Sequence, residues 1–160
     1  MISNLTDIIS FNPEWSKDEV HEKIVSIAEA ILINYKLKVN QTTYAITDLE
    51  FYLYHPNHRD EYALGVNHDR IAGELEAHRY GVDIALANEL TCKGGALICG
   101  LLDIESGEII PKSKVLRSII NQIHVGSNSI EWVEGKNDWN DIFSSTRVNL
   151  GSPEGCKSSN

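Results

Sequence analysis

The first strong pattern along the chain is an apolar stripe at helical spacing. It is formed by Val20, Ile24, Ile27, Ala28, Ile31 and Leu32, which recur every three or four positions. Such spacing puts apolar side chains on one face of an amphipathic helix. Ser16 and Glu19 precede the stripe in the arrangement of a capping box, in which each side chain accepts from the other residue's backbone N–H. The pattern therefore predicts a helix over residues 16–34 that packs against the core.

From residue 43 the pattern changes to alternation. Ala45, Thr47, Leu49, Phe51 and Leu53 form one set, and Ile46, Asp48, Glu50, Tyr52 and Tyr54 form the other. A period of two is typical of a β-strand whose two faces meet different surroundings. His55-Pro56-Asn57 ends the run, because proline has no N–H for a strand ladder and asparagine favours turns. We expect one strand with an apolar face and a second face that carries acids and phenols.

Two shorter apolar runs and a second helical stripe follow. Residues 82–87 and 96–102 predict two buried strands, and Lys93-Gly94-Gly95 between them predicts the turn of a hairpin. Residues 114–123 predict a second helix, because apolar side chains recur there at helical spacing. Pro111 stands just ahead of it, where a proline is tolerated.

The remaining segments are more polar. Residues 57–81 are predicted to form a loop with a short helical piece from Ile71 to Ala77. Trp132, Trp139 and Phe143 are predicted to anchor a loop-rich C-terminal part. Residues 151–160 are small and polar, which is typical of a flexible tail.

Composition and length predict one globular domain. The 160 residues are 42% hydrophobic and 23% charged, and no apolar run approaches the roughly 20 residues that span a bilayer. We expect a single α+β domain over residues 1–150, with residues 43–123 as its core. Its architecture should be a curved, mainly antiparallel β-sheet with flanking helices. The N-terminus shows no export signal, so a soluble, cytoplasmic protein without a membrane partner is expected.

Net charge and cysteine content limit the partners and the compartment. The formal net charge of −9 repels duplex DNA on average, and the basic residues are scattered. DNA is therefore a possible but disfavoured partner, and a small nucleotide or purine-containing ligand is favoured. Cys92, Cys99 and Cys156 form no paired spacing, which indicates reduced thiols. Cys99 lies in an apolar run and is predicted to be a small buried side chain.

The second face of the strand carries the candidate chemistry. Asp48, Glu50, Tyr52 and Tyr54 share it in the alternating pattern. An unpaired buried carboxylate costs several kcal/mol, so this face must either meet solvent or line a specialised cleft. In a cleft, the aromatic rings would stack on a flat ligand while a carboxylate activates water. The residue types leave both interpretations open.

Four segments, taken in order, resemble elements of the methylpurine-DNA glycosylases. Residues 44–53 are similar to the family's strand motif, in which a Glu-x-Glu-x-Tyr-like core carries the catalytic base. Tyr80-Gly81 and the apolar run after it resemble its Tyr-Gly strand, and residues 95–98 resemble its alternating apolar strand. Residues 146–151 are similar to its Arg-Val element. The resemblance implies a methylpurine-DNA-glycosylase-like fold.

The resemblance also implies an activity and a set of site residues. Glu50 matches the residue that activates water for attack on the anomeric carbon, and Tyr52 matches a tyrosine that stacks on the extruded base. The reaction would be hydrolysis of an N-glycosidic bond, as in DNA repair, without a metal or other cofactor. The further ligand-binding residues that it implies or favours are Asp48, Tyr54, His58, Tyr80 and Arg147.

Departures from the family pattern keep other functions open. Asp48 replaces the first glutamate, Cys99 replaces an arginine, and the segment that supplies a duplex-wedging side chain is replaced by acidic, histidine-bearing residues. A second hypothesis is therefore a non-catalytic nucleotide binder that sequesters a nucleotide signal, as a phage evading host defence would use. A third is a protein-interaction domain. The histidines match no compact metal-ligand spacing, and no metal is expected.

Overall fold

A computed structural model describes residue 5 and residues 8–63, 71–88, 92–123, 129–139 and 141–145. Among the described residues its helices include α1 (Lys17–Asn34) and α2 (Lys112–Gln122), with a short 3-10 turn at Glu61–Ala63. Its strands are β1 (Tyr35–Val39), β2 (Thr42–His55), β3 (His58–Arg59), β4 (Leu75–His78), β5 (Gly81–Asn88), β6 (Lys93–Asp103), β7 (Ile109–Pro111) and β8 (Ile130–Glu134). The chain is a single α+β domain in which an antiparallel sheet curls into a half-barrel beside the two helices. This confirms the predicted fold class at that level.

Helix α1 begins as its sequence predicts. The Ser16 hydroxyl accepts from the backbone N–H of Glu19 at 3.3 Å, and the Glu19 carboxylate accepts from the backbone N–H of Ser16 at 2.7 Å. This reciprocal pair satisfies N–H groups that have no partner inside the helix. Val20, Ile27 and Ile31 are fully buried and belong to the central core. None of the described helices combines the length and apolar character needed to cross a bilayer.

The sheet has the strand order β4-β5-β6-β2-β1-β8, with β3 paired to β2 and β7 paired to β6. Strands β1 and β8, each of five residues, were not predicted from the sequence. The indole N–H of Trp132 in β8 donates to the carbonyl oxygen of Gly73 at 2.9 Å. Gly73 lies just before β4, so this bond joins the two outer margins of the curled sheet.

A register shift in β2 corrects the predicted alternation. Ile46 pairs with Leu101, while Asp48 pairs with Gly100 and Leu49 with Ile98. Ile46 is fully buried in the core, whereas Thr47 and Asp48 are both exposed. The prediction that Ile46 shares the face of Asp48 is therefore wrong, because a bulge inserts an extra residue and reverses the alternation locally.

Two other local predictions are also wrong. The predicted helical piece from Ile71 to Ala77 is a turn followed by β4, whose backbone pairs with β5 from Leu75 to His78. Gly73 has a φ of +89° there, which interrupts a helix. Lys93-Gly94-Gly95 belongs to β6 and forms no hairpin turn. Gly94 passes so close to β2 that a Cβ there would collide with the Tyr52 carbonyl oxygen.

The C-terminal part is tied to the end of α1. The Trp139 indole donates to the Leu32 carbonyl oxygen at 2.6 Å, and the Asn137 side chain donates to the same oxygen at 2.8 Å. These bonds satisfy a carbonyl group in the last turn of the helix. Phe143 is 88% exposed, so the prediction that it anchors this region is wrong. The predicted tail over residues 151–160 lies outside the described residues.

Candidate functional site

One face of the sheet brings together acids from neighbouring strands. Across β2, β6, β5 and β4, Glu50 pairs with Leu97, Leu97 with Asp83, and Asp83 with Glu76. Directly opposed residues on antiparallel strands point to the same face. Glu50 and Asp83 therefore stand on either side of Leu97, which is buried. We call the polar group formed around them by Glu50, Tyr52, His78, Asp83, Cys99 and Lys112 the Glu50 cluster.

Glu50 is held by a lysine from α2. The Lys112 ammonium donates to a Glu50 carboxylate oxygen at 2.9 Å, with side chains 48% and 30% exposed. This hydrogen bond is the largest influence on the pKa of Lys112 and raises it. Lys112 is the first residue of α2 and follows β7, which pairs with β6 at Gly100 and so brings the ammonium group to this face. The Glu50 side chain stays partly exposed to solvent.

Cys99 lies against the same carboxylate. Its thiol is 3.9 Å from Glu50, and its side chain is half-buried at the bulge, so the prediction of a buried core residue is wrong. Burial raises the pKa of Cys99 to about 11, with Lys112 opposing the rise and Asp48 and Glu50 adding to it. The thiol therefore stays protonated near neutral pH, which excludes it as a nucleophile there.

Tyr52 and Asp83 form the buried part of the cluster. The Tyr52 hydroxyl hydrogen-bonds to the Asp83 carboxyl group across β6. Gly95 makes this possible, since a Cβ there would lie 2.6 Å from the Tyr52 ring carbon that carries the hydroxyl. The aromatic ring thus occupies the space that a side chain on the intervening strand would fill.

Asp83 is the most perturbed acid of the cluster. It is 4% exposed, and its other carboxyl oxygen lies 3.0 Å from Nε2 of His78. Burial raises the pKa of Asp83 to about 7; the Glu50 charge adds to the rise and Lys112 opposes it. The acidic proton of Asp83 is therefore retained up to about neutral pH, beside the Glu50 carboxyl group.

The turn between β4 and β5 presents an exposed aromatic ring next to the cluster. Nδ1 of His78 accepts from the backbone N–H of Tyr80 at 3.2 Å, and its Nε2 lies 3.0 Å from a carboxyl oxygen of Asp83. The Tyr80 ring is 64% exposed. The Arg79 guanidinium stands 4.4 Å from its centre and donates to its hydroxyl.

Comparison with protein-family models, curated proteins and solved structures found no match to this chain.

The other sequence-predicted site residues are distributed unevenly. Asp48 is exposed at the bulge beside the cluster, and Tyr54 is half-buried farther along β2. His58 stands in β3 near the start of α1: burial lowers its pKa, Asp60 opposes this, and Lys17, His55 and His21 lower it further. Arg147 lies outside the described residues. The structure thus joins Glu50 and Tyr52 in one cluster and brings Tyr80 next to it through His78.

A separate hollow lies away from the cluster. Its volume is about 410 Å³, and it is lined by Ile8, Ala30, Asn34, Tyr35, Glu134, Gly135 and Lys136. It is open to solvent and carries no convergent acids or imidazoles. Across the described ranges, no three His, Cys, Asp or Glu side chains converge as a metal site would require.

Lys112, His78 and Asp83 were missed as site residues in the sequence. Asp83 gave a usable signal, because a single acid inside the apolar run of residues 82–87 needs a partner if that strand is buried. His78 and Lys112 gave none. Lys112 is 62 positions from Glu50 in the chain, and only the pairing of β7 with β6 brings them together.

Proposed function

We propose that the chain is a nucleobase-recognising N-glycosylase-like hydrolase with Glu50 as its catalytic base, as its resemblance to the methylpurine-DNA glycosylases implies. The observation that carries the proposal is the half-exposed Glu50 carboxylate, held by Lys112 at 2.9 Å beside Tyr52 and the buried Asp83. A fixed, partly exposed carboxylate is suited to orient a water molecule. The same charge stabilises the positive charge that develops on the sugar in the transition state.

The surroundings of Glu50 supply the other requirements of this reaction. Tyr52 and the exposed Tyr80 offer aromatic surfaces for a flat purine. Leu97 gives the face an apolar floor between Glu50 and Asp83. Together these features favour a base held beside the carboxylate, with its sugar directed towards Glu50.

Base release tests the proposal directly. The protein is incubated with 7-methylguanosine, with inosine and with an oligonucleotide that carries 7-methylguanine, and free base is measured by chromatography. We expect release from at least one probe and a loss of about 100-fold or more for Glu50→Gln. Glu131→Gln, on β8 away from the cluster, is the matched control and should keep the wild-type rate. Absence of release from all three probes would exclude the hydrolase.

A nucleotide binder without catalysis is the second candidate. It is favoured by the exposed Tyr80 ring with the Arg79 guanidinium 4.4 Å from its centre, which together offer stacking and a positive charge for a phosphate. The net charge of −9 favours a small ligand over duplex DNA. This protein would hold a nucleotide signal and release no base.

Thermal shift combined with the absence of base release distinguishes this candidate from the first. A cyclic dinucleotide, a nucleoside monophosphate or a methylated duplex should raise the melting temperature by an amount that grows with its concentration. Tyr80→Ala should remove the shift, whereas Arg117→Ala, an exposed cation on α2, should keep it. If moderate salt weakened duplex binding less than nucleotide binding, this would contradict the preference for a small ligand.

A further inference from the structure

The polar partners of Tyr52 point to a role beyond stacking. Its hydroxyl is bonded to Asp83, which is buried between β4 and β2 and is also approached by His78 at 3.0 Å. A tyrosine that only stacks on a base needs no buried acid behind its hydroxyl. Position 95 is a glycine, and a side chain there would collide with Tyr52 and block this contact.

The direction of the Tyr52–Asp83 hydrogen bond depends on the state of the acid. An ionised Asp83 can only accept, so it takes the hydroxyl hydrogen of Tyr52. A protonated Asp83 can donate to the phenolic oxygen instead. The Tyr52 hydroxyl contacts one carboxyl oxygen of Asp83 and Nε2 of His78 lies near the other, so an acidic hydrogen on the first oxygen can be donated to Tyr52. The Tyr52 hydrogen is then free to point away from the sheet towards a ligand.

We propose that Tyr52 and Asp83 form a proton relay that protonates the leaving base, so that Tyr52 is the catalytic acid and Asp83 its positioning residue and proton source. This rests on the proposed hydrolase function. In the step, the water oxygen bonds to the anomeric carbon as the bond from that carbon to the base nitrogen breaks. One water proton passes to Glu50, the base nitrogen takes the Tyr52 proton, and Tyr52 takes the Asp83 proton. Exchange with solvent then returns the proton from Glu50 and restores Asp83.

The charged groups around Asp83 fit the roles of Glu50 as base and Asp83 as proton source. Glu50 faces it from β2, His78 and Glu76 face it from β4, and Lys112 approaches from α2. Burial and the Glu50 charge raise the pKa of Asp83 to about 7, so an acidic proton is present below that pH. Lys112 binds Glu50 and not Asp83. The negative charge therefore stays at Glu50, the proposed catalytic base.

Two nucleosides separate the relay from a structural role. The purine of 7-methylguanosine is already positively charged, so its base leaves neutral without taking a proton. Inosine needs a proton on its leaving base. We expect Tyr52→Phe and Asp83→Asn to slow hypoxanthine release from inosine by about 100-fold or more, but to slow 7-methylguanine release by less than about tenfold. Glu50→Gln should slow both, and Tyr35→Phe, outside the cluster, should slow neither.

The pH profile gives a second readout on the same proteins. Inosine cleavage by the wild type should fall as pH rises through about 7, whereas the residual cleavage by Asp83→Asn should not follow this fall. Equal losses of both activities in Tyr52→Phe would overturn the relay and leave the hydrolase intact. Absence of release from both nucleosides and from the oligonucleotide would overturn the hydrolase, and the relay with it.

A titration of Asp83 in the wild-type protein, without substrate, tests the relay even if the variants do not fold. The carboxyl carbon of Asp83 is followed by NMR in aspartate-labelled wild-type protein, and its signal is assigned by its loss in Asp83→Asn. We expect a midpoint near pH 7. A midpoint near the ordinary aspartate value of about 4 would leave no proton on the acid at neutral pH and would overturn the relay.

Discussion

His55 and His78 occupy similar polar positions in the sheet but have different kinds of partners. His55 is fully buried; its Nε2 lies 2.9 Å from the Asn12 carbonyl oxygen, and its Nδ1 accepts from the Asn57 backbone at 3.1 Å. His78 also uses both ring nitrogens, but one of them faces the Asp83 carboxyl group at 3.0 Å. Backbone partners cannot change their charge, whereas Asp83 titrates. The surroundings of His78 therefore change charge with pH, because burial and the Glu50 charge raise the pKa of Asp83 to about 7.

The largest expected effect is on the pH dependence of stability in Asp83→Asn. The raised pKa of Asp83 means that the folded protein holds this proton more tightly than the unfolded chain. Its contribution to stability is fully present below about pH 4 and is lost as pH rises through about 7. The free energy of unfolding of the wild type, measured in urea, should therefore fall by about 2 to 4 kcal/mol relative to Asp83→Asn over this window. Asp103→Asn is the control, and parallel curves for wild type and Asp83→Asn would contradict the assignment.

His55→Ala tests the backbone-bonded side of the comparison. The substitution removes a buried ring and leaves the Asn12 carbonyl oxygen without this partner, which should cost about 2 to 3 kcal/mol. Urea denaturation at pH 8 measures it, because histidines of the unfolded chain are neutral there. Base release per folded molecule should be unchanged, since His55 lies outside the Glu50 cluster. A selective loss of release would place His55 in the site.

Gly95→Ala sharpens the comparison by disconnecting Tyr52 from Asp83. The added methyl group would collide with the Tyr52 hydroxyl and lie 3.3 Å from Asp83, so the tyrosine must move. We expect a loss of about 1 to 2 kcal/mol in the free energy of unfolding. The Asp83 titration should also shift from that of the wild type, as followed by NMR. An unchanged titration would mean that the hydroxyl does not contribute to the environment of the acid.

Lys112→Gln should have the smallest effect on stability. The pair that Lys112 forms with Glu50 is half-exposed and screened by solvent, so its loss should change the free energy of unfolding by less than about 1 kcal/mol. Because Lys112 opposes the rise in the pKa of Asp83, the Asp83 midpoint should move to higher pH. Lys114→Gln, also exposed at the start of α2, is the matched control. A midpoint that moves to lower pH would contradict this arrangement of charges.

Features set by neighbouring residues were predictable from the sequence. The capping box at Ser16 and Glu19 and the end of β2 before Pro56 depend on a few adjacent residues, and the structure has both. The bulge near Asp48 was not predictable, because it arises from how β2 and β6 pair. The same holds for the site: the alternation placed Glu50 and Tyr52 on one face, but the contacts with Lys112 and Asp83 depend on strand register across the sheet. The glycosylase-like function stays a proposal.

The absence of a side chain at Gly95 limits which residues homologous proteins can carry at this position. The Tyr52–Asp83 bond passes over that position, so any larger residue there is incompatible with the pair as it stands. In descendants of this protein, tyrosine, glycine and aspartate at these three places should be kept or lost together. A homologous chain with a bulky residue at the glycine position, even one that retains the glutamate, should have abandoned the phenol–acid contact.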